Sequence, residues 1–188
     1  MKKRTIVLLT TLGVIGLGAG SVGGFVAYQE YHPAKTTFHA SQTGGQTVKT
    51  LSMTKDEFTA FLQRHLGSAG YDVTVGDQDI TVSGATTVLG AKVNAKLTMT
   101  PTVTKDGNIF LNVEKATIGS AAVPTKVALG YLAKSDNIPA GLVVQPDKNR
   151  IALDIPELTA QDTLAYKADA INIEQGIFKF SEVNTSAK

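Results

Sequence analysis

Hydrophobic residues recur at helical spacing in one stretch soon after residue 50. Intervals of three and four residues separate Phe58, Phe61, Leu62 and Leu66, and this spacing is typical of one face of an α-helix. Before them stands Thr54-Lys55-Asp56-Glu57, in which a Thr at the N-cap and a Glu three residues later form a capping box. Gly67 stops the run. The pattern predicts an amphipathic helix over residues 55–66.

From residue 71 the hydrophobic spacing changes to two, which is typical of strands with one buried face. The alternation covers residues 71–75, 80–82, 93–103, 109–113, 142–144, 151–155, 164–173 and 177–180. Lys105-Asp106-Gly107-Asn108 is a strong hairpin signal, and Pro124 opens a second helical stretch over residues 124–134. We therefore expect an α+β domain over residues 51–183. It is a curved, mostly antiparallel sheet of about seven or eight strands packed with two helices. Residues 184–188 are expected to be a disordered tail.

Residues 6–28 are uncharged and mainly apolar. As a helix this stretch would reach about 35 Å, enough to span a hydrocarbon core of about 30 Å. Lys2, Lys3 and Arg4 precede it, which places residues 1–5 in the cytoplasm and the domain outside. The alternative is a cleaved signal peptide with small residues from Gly18 to Gly24. The absence of a clean Ala-x-Ala site and the apolar character up to Tyr28 favour a retained anchor. Residues 29–50 then form an extracytoplasmic stalk.

Three glycines in this predicted anchor recur every four residues: Gly16, Gly20 and Gly24. Such a face lets two membrane helices approach closely. Glycine is also frequent in membrane helices and at the ends of signal peptides, and this simpler explanation is the one we favour.

Charge and cysteine content exclude several classes of protein. The formal net charge is +2, but once Lys2, Lys3 and Arg4 are set aside the rest of the chain has 15 basic and 16 acidic residues. This nearly neutral balance, with both signs scattered, argues against binding of nucleic acid. The chain has no cysteine, so disulfides, thiol chemistry and lipidation on cysteine are all excluded.

Several short segments carry a resemblance to a known family. They are residues 118–124 (IGSAAVP), 129–132 (LGYL), 138–139, 146–153 (PDKNRIAL), 166–168, 171–173 and 177–180. In these segments, and in the order of anchor, capped helix, strands and Pro-led helix, the chain resembles the YpmS-like family of Gram-positive bacteria. The resemblance covers nearly the whole chain and implies a single-pass protein of the cell membrane with one extracytoplasmic domain. Its motifs are structural glycines, prolines and apolar positions, so it implies no catalytic residues.

No arrangement of residues in the sequence predicts catalysis. A nucleophile elbow, Gly-x-Ser-x-Gly, is absent, and so is a His-x-x-x-His pair for a metal. We therefore expect a protein that is not an enzyme and that uses no cofactor or metal.

Two binding functions remain open. The first is a lipid or other amphiphile held in an apolar groove between sheet and helices, lined by Phe58, Phe61, Leu62, Val127, Tyr131 and Leu132, although the same residues would also fill a closed core. The second is a partner-binding or scaffold module of a cell-envelope complex without a small ligand.

Overall fold

The computed structural model describes residues 36–40, 47–67, 70–88, 91–134, 138–159 and 165–183. In this part of the chain there are ten strands: β1 (Thr47–Met53), β2 (Tyr71–Val75), β3 (Ile80–Val88), β4 (Ala91–Val103), β5 (Ile109–Ile118), β6 (Ala121–Val123), β7 (Leu142–Gln145), β8 (Arg150–Leu153), β9 (Ala165–Asn172) and β10 (Ile177–Val183). The helices are α1 (Lys55–Leu66), α2 (Thr125–Leu132) and α3 (Ile155–Leu158), with a 3₁₀-helix at Pro146–Lys148.

The strands form two sheets, and every pairing is antiparallel. A three-stranded sheet has the order β1-β10-β9, and a seven-stranded sheet has the order β2-β3-β4-β5-β8-β7 with β6 beside β5. The α+β class and the antiparallel pairing are thus confirmed. The predicted sheet of about seven strands is also confirmed, and the structure adds a second, three-stranded sheet in which the first strand of the domain pairs with the last. A pairing over such a sequence distance leaves no periodic signal in the chain.

The first predicted helix is confirmed, including its cap. The Thr54 hydroxyl accepts a hydrogen bond from the Glu57 amide at 3.2 Å, and the Glu57 carboxylate accepts one from the Thr54 amide at 2.7 Å. These bonds satisfy two backbone donors that a helix start otherwise leaves unpaired. They fix where α1 begins and therefore which face it turns to the sheets.

The second half of the domain departs in detail from the sequence prediction. Pro124 is the N-cap of α2 and not its first helical residue, because its ψ of 132° is extended while its carbonyl accepts bonds from the Val127 and Ala128 amides. Residues 119–123, read from the sequence as a break in the pattern, include the short strand β6. The predicted crossover after residue 155 contains α3, whose first turn is capped by Asp154.

The core lies between the two sheets and α1. Phe58 is fully buried, with its ring centroid 4.7 Å from that of Phe178 and 6.0 Å from that of Phe180. Ile80, Met99 and other buried residues of the seven-stranded sheet belong to the same hydrophobic cluster. Aromatic stacking between a helix and the last strand therefore joins the beginning and the end of the domain.

Parts of the predicted stalk belong to the folded domain. Strand β1 begins at Thr47 and pairs with β10, and the Thr36 carbonyl accepts a hydrogen bond from Gln145. Residues 29–50 therefore include two segments that contact the domain, a result of tertiary contacts that local composition does not reveal. Gly16, Gly20, Gly24 and the whole predicted anchor lie outside the described residues. Within those residues, no helix has the length and apolar character needed to cross a membrane.

Candidate functional site

The seven-stranded sheet has one region where its apolar inner face is only partly covered. The region is called here the apolar strip, and it consists of Val82, Val93, Ala95, Leu97 and Ile118. Val82 lies opposite Leu97 on the neighbouring strand, and Ala95 lies opposite both Gly84 and Ile118. Every side chain of the strip is half-buried. Val82 and Leu97 also pack against the core, so the strip continues the core toward solvent.

The strip extends at Val93 onto a part of β4 that, together with β3, reaches beyond the neighbouring strands. β2 pairs with β3 only between Ile80 and Gly84, and β5 pairs with β4 only from Ala95 onward. Residues 85–88 and 91–94 pair with each other beyond both neighbouring strands. The alternation of side chains across the pleat places Ser83, Asn94 and Lys96 on the face opposite the strip.

An aromatic ring forms one side of the strip. Tyr71 on β2 lies opposite Gly84 on β3, and a Cβ added to Gly84 would lie 2.8 Å from Cδ1 of Tyr71. Glycine at this position therefore lets the ring lie against the backbone of β3. The Tyr71 side chain is half-buried, and it closes the strip on the side of β2.

The residues predicted to line a groove fall into two separate groups. In α1, Phe58 and Leu62 are fully buried and Phe61 is 8% exposed, and this helix packs against β1 and β2. In α2, Val127 and Leu132 are half-buried and Tyr131 is 68% exposed, and this helix packs against β5, β7 and the 3₁₀-helix. The first group fills the closed core, and the second lies against different strands.

The strip residues were missed by sequence reasoning. The alternation of residues 93–103 does indicate one apolar face, but it treats every inward position alike. Which of these positions stay partly exposed depends on what packs over that face of the sheet in the folded domain, and the spacing of residues does not contain this information. No local pattern in the sequence separates Val93, Ala95 and Leu97 from the buried positions of the same alternation.

The edges of the sheets differ in how they are covered. Gln63 of α1 donates to the Tyr71 carbonyl at 3.1 Å and accepts from the Val73 amide at 2.8 Å, so a side-chain amide replaces a neighbouring strand along β2. On β9, the Ala168 amide donates to the Gly107 carbonyl in the β4–β5 turn. β1 is the terminal strand of its sheet. β7 is likewise terminal in the seven-stranded sheet. Covered edges resist unwanted pairing, and β1 is one candidate for contact with a partner strand.

A cluster of aromatic and polar side chains joins residues 36–40 to the outer face of the seven-stranded sheet. Phe38 contacts Phe110 edge to face, with ring centroids 5.8 Å apart, and the Arg150 guanidinium lies 3.6 Å from the Phe110 centroid. Arg150 also donates to Gln145 at 2.8 Å, and Gln145 donates to the Thr36 carbonyl at 2.7 Å. Gln145 is fully buried, so both of its polar groups need these partners. This cluster attaches the segment to β5, β7 and β8.

The ionisable side chains of the described residues include one with a shifted pKa, and no metal-binding cluster is found among these residues. They contain no group of three or more acidic or histidine side chains placed to hold a metal ion. The Glu57 carboxylate accepts hydrogen bonds from the Thr54 amide, which has the larger effect, and from the Thr54 hydroxyl. These bonds lower the pKa of Glu57 below its ordinary value. The lowered pKa is therefore explained by the helix cap.

Comparison with known proteins places the chain in a family. A family model described as "Uncharacterized protein conserved in bacteria (DUF2140)" matches residues 3–183. The chain is similar to the "Uncharacterized protein YpmS" of Bacillus subtilis (strain 168), with 28% identity over 184 residues and 95% of each chain covered. No solved structure matches it. The resemblance read from the sequence is confirmed, and the chain belongs to the DUF2140 family of bacterial proteins, which includes relatives of YpmS.

Proposed function

We propose that this protein is a membrane-anchored extracytoplasmic binding protein, not an enzyme, and that it holds the apolar part of a lipid or other amphiphile on the apolar strip. The observation that carries the proposal is that five apolar side chains, four on β3 and β4 and one on β5, are only half-buried on the inner face of the sheet, where Val82 and Leu97 continue the core. An apolar surface that packing covers only in part is a candidate for binding an apolar ligand.

The shape of the strip favours an elongated apolar ligand. From Val93 to Leu97 the strip runs about 13 Å along β4, and from β3 to β5 it is about 10 Å wide. Its side chains are aliphatic and carry no hydrogen-bonding group, so it suits a hydrocarbon chain better than a polar or charged molecule. The ring of Tyr71 on one side would restrict the ligand to the long direction of the strip.

The predicted anchor supports the choice of a membrane lipid as ligand. Residues 6–28 are uncharged and long enough to span a bilayer, and the three basic residues before them favour a cytoplasmic N-terminus. A C-terminal tag should then be removed by protease added to protoplasts while the rest of the chain stays in the membrane fraction. Recovery of the tagged domain in the culture medium would instead indicate a cleaved signal peptide.

Ligand binding is tested on the domain purified with its anchor and then released. A protease site inserted after Pro33 allows the full chain to be extracted from membranes and the domain to be cut free. Mass spectrometry of the released domain should find lipid in stoichiometric amount. Val93→Gln should lower that amount several-fold, whereas Asn94→Gln, on the opposite face of the same strand, should leave it unchanged. The ligand proposal would be refuted if the wild-type domain carried no lipid and its thermal midpoint did not change when lipid was added.

A second candidate function is a partner-binding module, and the position of β1 favours it. β1 has a hydrogen-bonded neighbour, β10, on one side and is terminal in its sheet, with Thr47, Thr50 and Ser52 exposed. An extended segment of another envelope protein could add to such an edge. Lys49 is also exposed on this strand, and an edge lysine opposes unselective pairing. An empty domain in the lipid experiment would favour this function.

A further inference from the structure

One end of the domain combines positive charge with an exposed aromatic ring. Lys126 is exposed in the first turn of α2, and Lys148 is exposed at the end of the 3₁₀-helix. The two elements pack together, and the Thr125 hydroxyl donates to the Asn149 side-chain oxygen at 2.9 Å. This bond joins the residues next to the two lysines in the chain. Tyr131, on the same short helix, is 68% exposed.

The acidic residue nearest in sequence to this end does not cancel its charge. Asp147 lies on the 3₁₀-helix beside Lys148 and is half-buried, whereas both lysines are exposed. Arg150 adds a further positive group, held by Gln145 and stacked on Phe110. The described residues of α2, the 3₁₀-helix and Arg150 therefore carry a net positive charge, although the whole chain is nearly neutral.

The N-terminal segment reaches the domain at this same end. Thr36 is hydrogen-bonded to Gln145, and Gln145 directly precedes the 3₁₀-helix. The predicted anchor ends at residue 28, so residues 29–36 connect it to this contact point. Eight extended residues reach at most about 28 Å. If the domain were first fixed at Thr47, the connection could reach about 65 Å.

We propose that the end of the domain formed by α2 and the 3₁₀-helix rests on the anionic lipid headgroups of the membrane in which the chain is anchored. The proposal depends on the anchoring proposed above, because the short connection holds this end of the domain near the membrane only if residues 6–28 are in the bilayer. Exposed lysines near an anionic surface are attracted to it, and tyrosine favours the level of the headgroups. This contact would fix which side of the domain faces the membrane.

The experiment uses single tryptophans, because the natural chain has none. The full chain is reconstituted into vesicles of phosphatidylcholine and phosphatidylglycerol, with lipids brominated near the headgroup as quenchers. Tyr131→Trp reports on the proposed contact surface, and Gln175→Trp, in the exposed β9–β10 turn, is the matched control. Phe25→Trp reports on the anchor itself.

The proposal expects strong quenching at positions 25 and 131 and little at position 175. Adding Lys126→Glu and Lys148→Glu to the Tyr131→Trp chain should reduce its quenching several-fold, and so should replacing the anionic lipid by phosphatidylcholine. Quenching at position 25 without quenching at position 131 would overturn the contact with the headgroups and leave the anchor intact. An unquenched position 25 would overturn the anchoring, and with it the contact. Quenching at position 131 that is unchanged by the two lysine substitutions and by removal of the anionic lipid would overturn the electrostatic attraction.

Discussion

Replacing Gln63 by methionine removes two hydrogen bonds while it keeps the length and most of the volume of the side chain. The wild-type amide donates to the Tyr71 carbonyl at 3.1 Å and accepts from the Val73 amide at 2.8 Å. Val73 is buried, with 4% of its surface exposed. An unpaired buried amide costs about 1–3 kcal/mol, and a hydrogen bond lost to water costs about 1 kcal/mol. Because the carbonyl of half-buried Tyr71 can regain part of its bond from water, we expect Gln63→Met to lower the free energy of unfolding by about 2 kcal/mol.

Thermal unfolding of the released domain, followed by circular dichroism, measures this loss. At about 3 °C per kcal/mol for a domain of this size, the midpoint should fall by about 6 °C. Ala60→Met is the matched control, since Ala60 is an exposed position of the same helix, and its effect should stay below about 0.5 kcal/mol. Hydrogen exchange at the Val73 amide should accelerate in Gln63→Met alone. Equal midpoints for the two variants would refute the view that the side chain of Gln63 covers the edge of β2.

Gly67 provides an independent check on the same bonds. Its backbone is in the ordinary helical region, with φ of −67°, so alanine causes no backbone strain there. A Cβ at this position would, however, clash with Nε2 of Gln63. Gly67→Ala should therefore destabilise the wild-type domain by displacing Gln63, yet be harmless or stabilising when combined with Gln63→Ala. If Gly67→Ala also destabilises the domain that already carries Gln63→Ala, the clash with the Gln63 side chain is not the cause.

Three further predictions follow from single contacts. Hydrogen bonds at the N-cap lower the folded-state pKa of Glu57. The stabilisation by the Glu57 carboxylate should therefore be present above the unfolded-state pKa and be lost as the pH falls through the folded-state pKa. An acid titration of the unfolding midpoint should show this loss in the wild type and not in Glu57→Gln. Asn149 has a φ of 50° and accepts from Thr125, so Asn149→Ala should cost about 2 kcal/mol in denaturant unfolding and Asn149→Gly clearly less. Phe38→Ala should release residues 36–40 from the sheet and speed proteolytic cleavage there several-fold, whereas Thr37→Ala, at an exposed position, should not.

Local signals in the sequence were sufficient for the elements that depend on neighbouring residues. The capping box at Thr54 and Glu57 set the start of α1, and the Asp106-Gly107 turn set the hairpin between β4 and β5. In both cases the deciding hydrogen bonds join residues a few positions apart. Such interactions are nearly independent of the rest of the fold, and for this reason composition and spacing predict them.

The candidate site depended on contacts that no local pattern contains. The spacing of Phe58, Phe61 and Leu62 showed correctly that one face of the helix is apolar. It could not show that Phe178 and Phe180 would close over that face. The half-buried apolar strip lies instead on β3, β4 and β5. Whether an apolar side chain is core or binding surface is decided by what covers it.

The sequence by itself determined the family, the α+β class, the helix bounds of α1 and the antiparallel character of the strands, since these follow from periodicity, capping and turn residues. Only the tertiary structure decided that the strands divide into two sheets, that Gln63 covers an edge, and that residues 36–40 attach to the outer face of the seven-stranded sheet. The physical reason is sequence distance. Thr36 and Gln145 are bonded across 109 positions, and the free energy of such a contact depends on the whole chain that brings the two residues together.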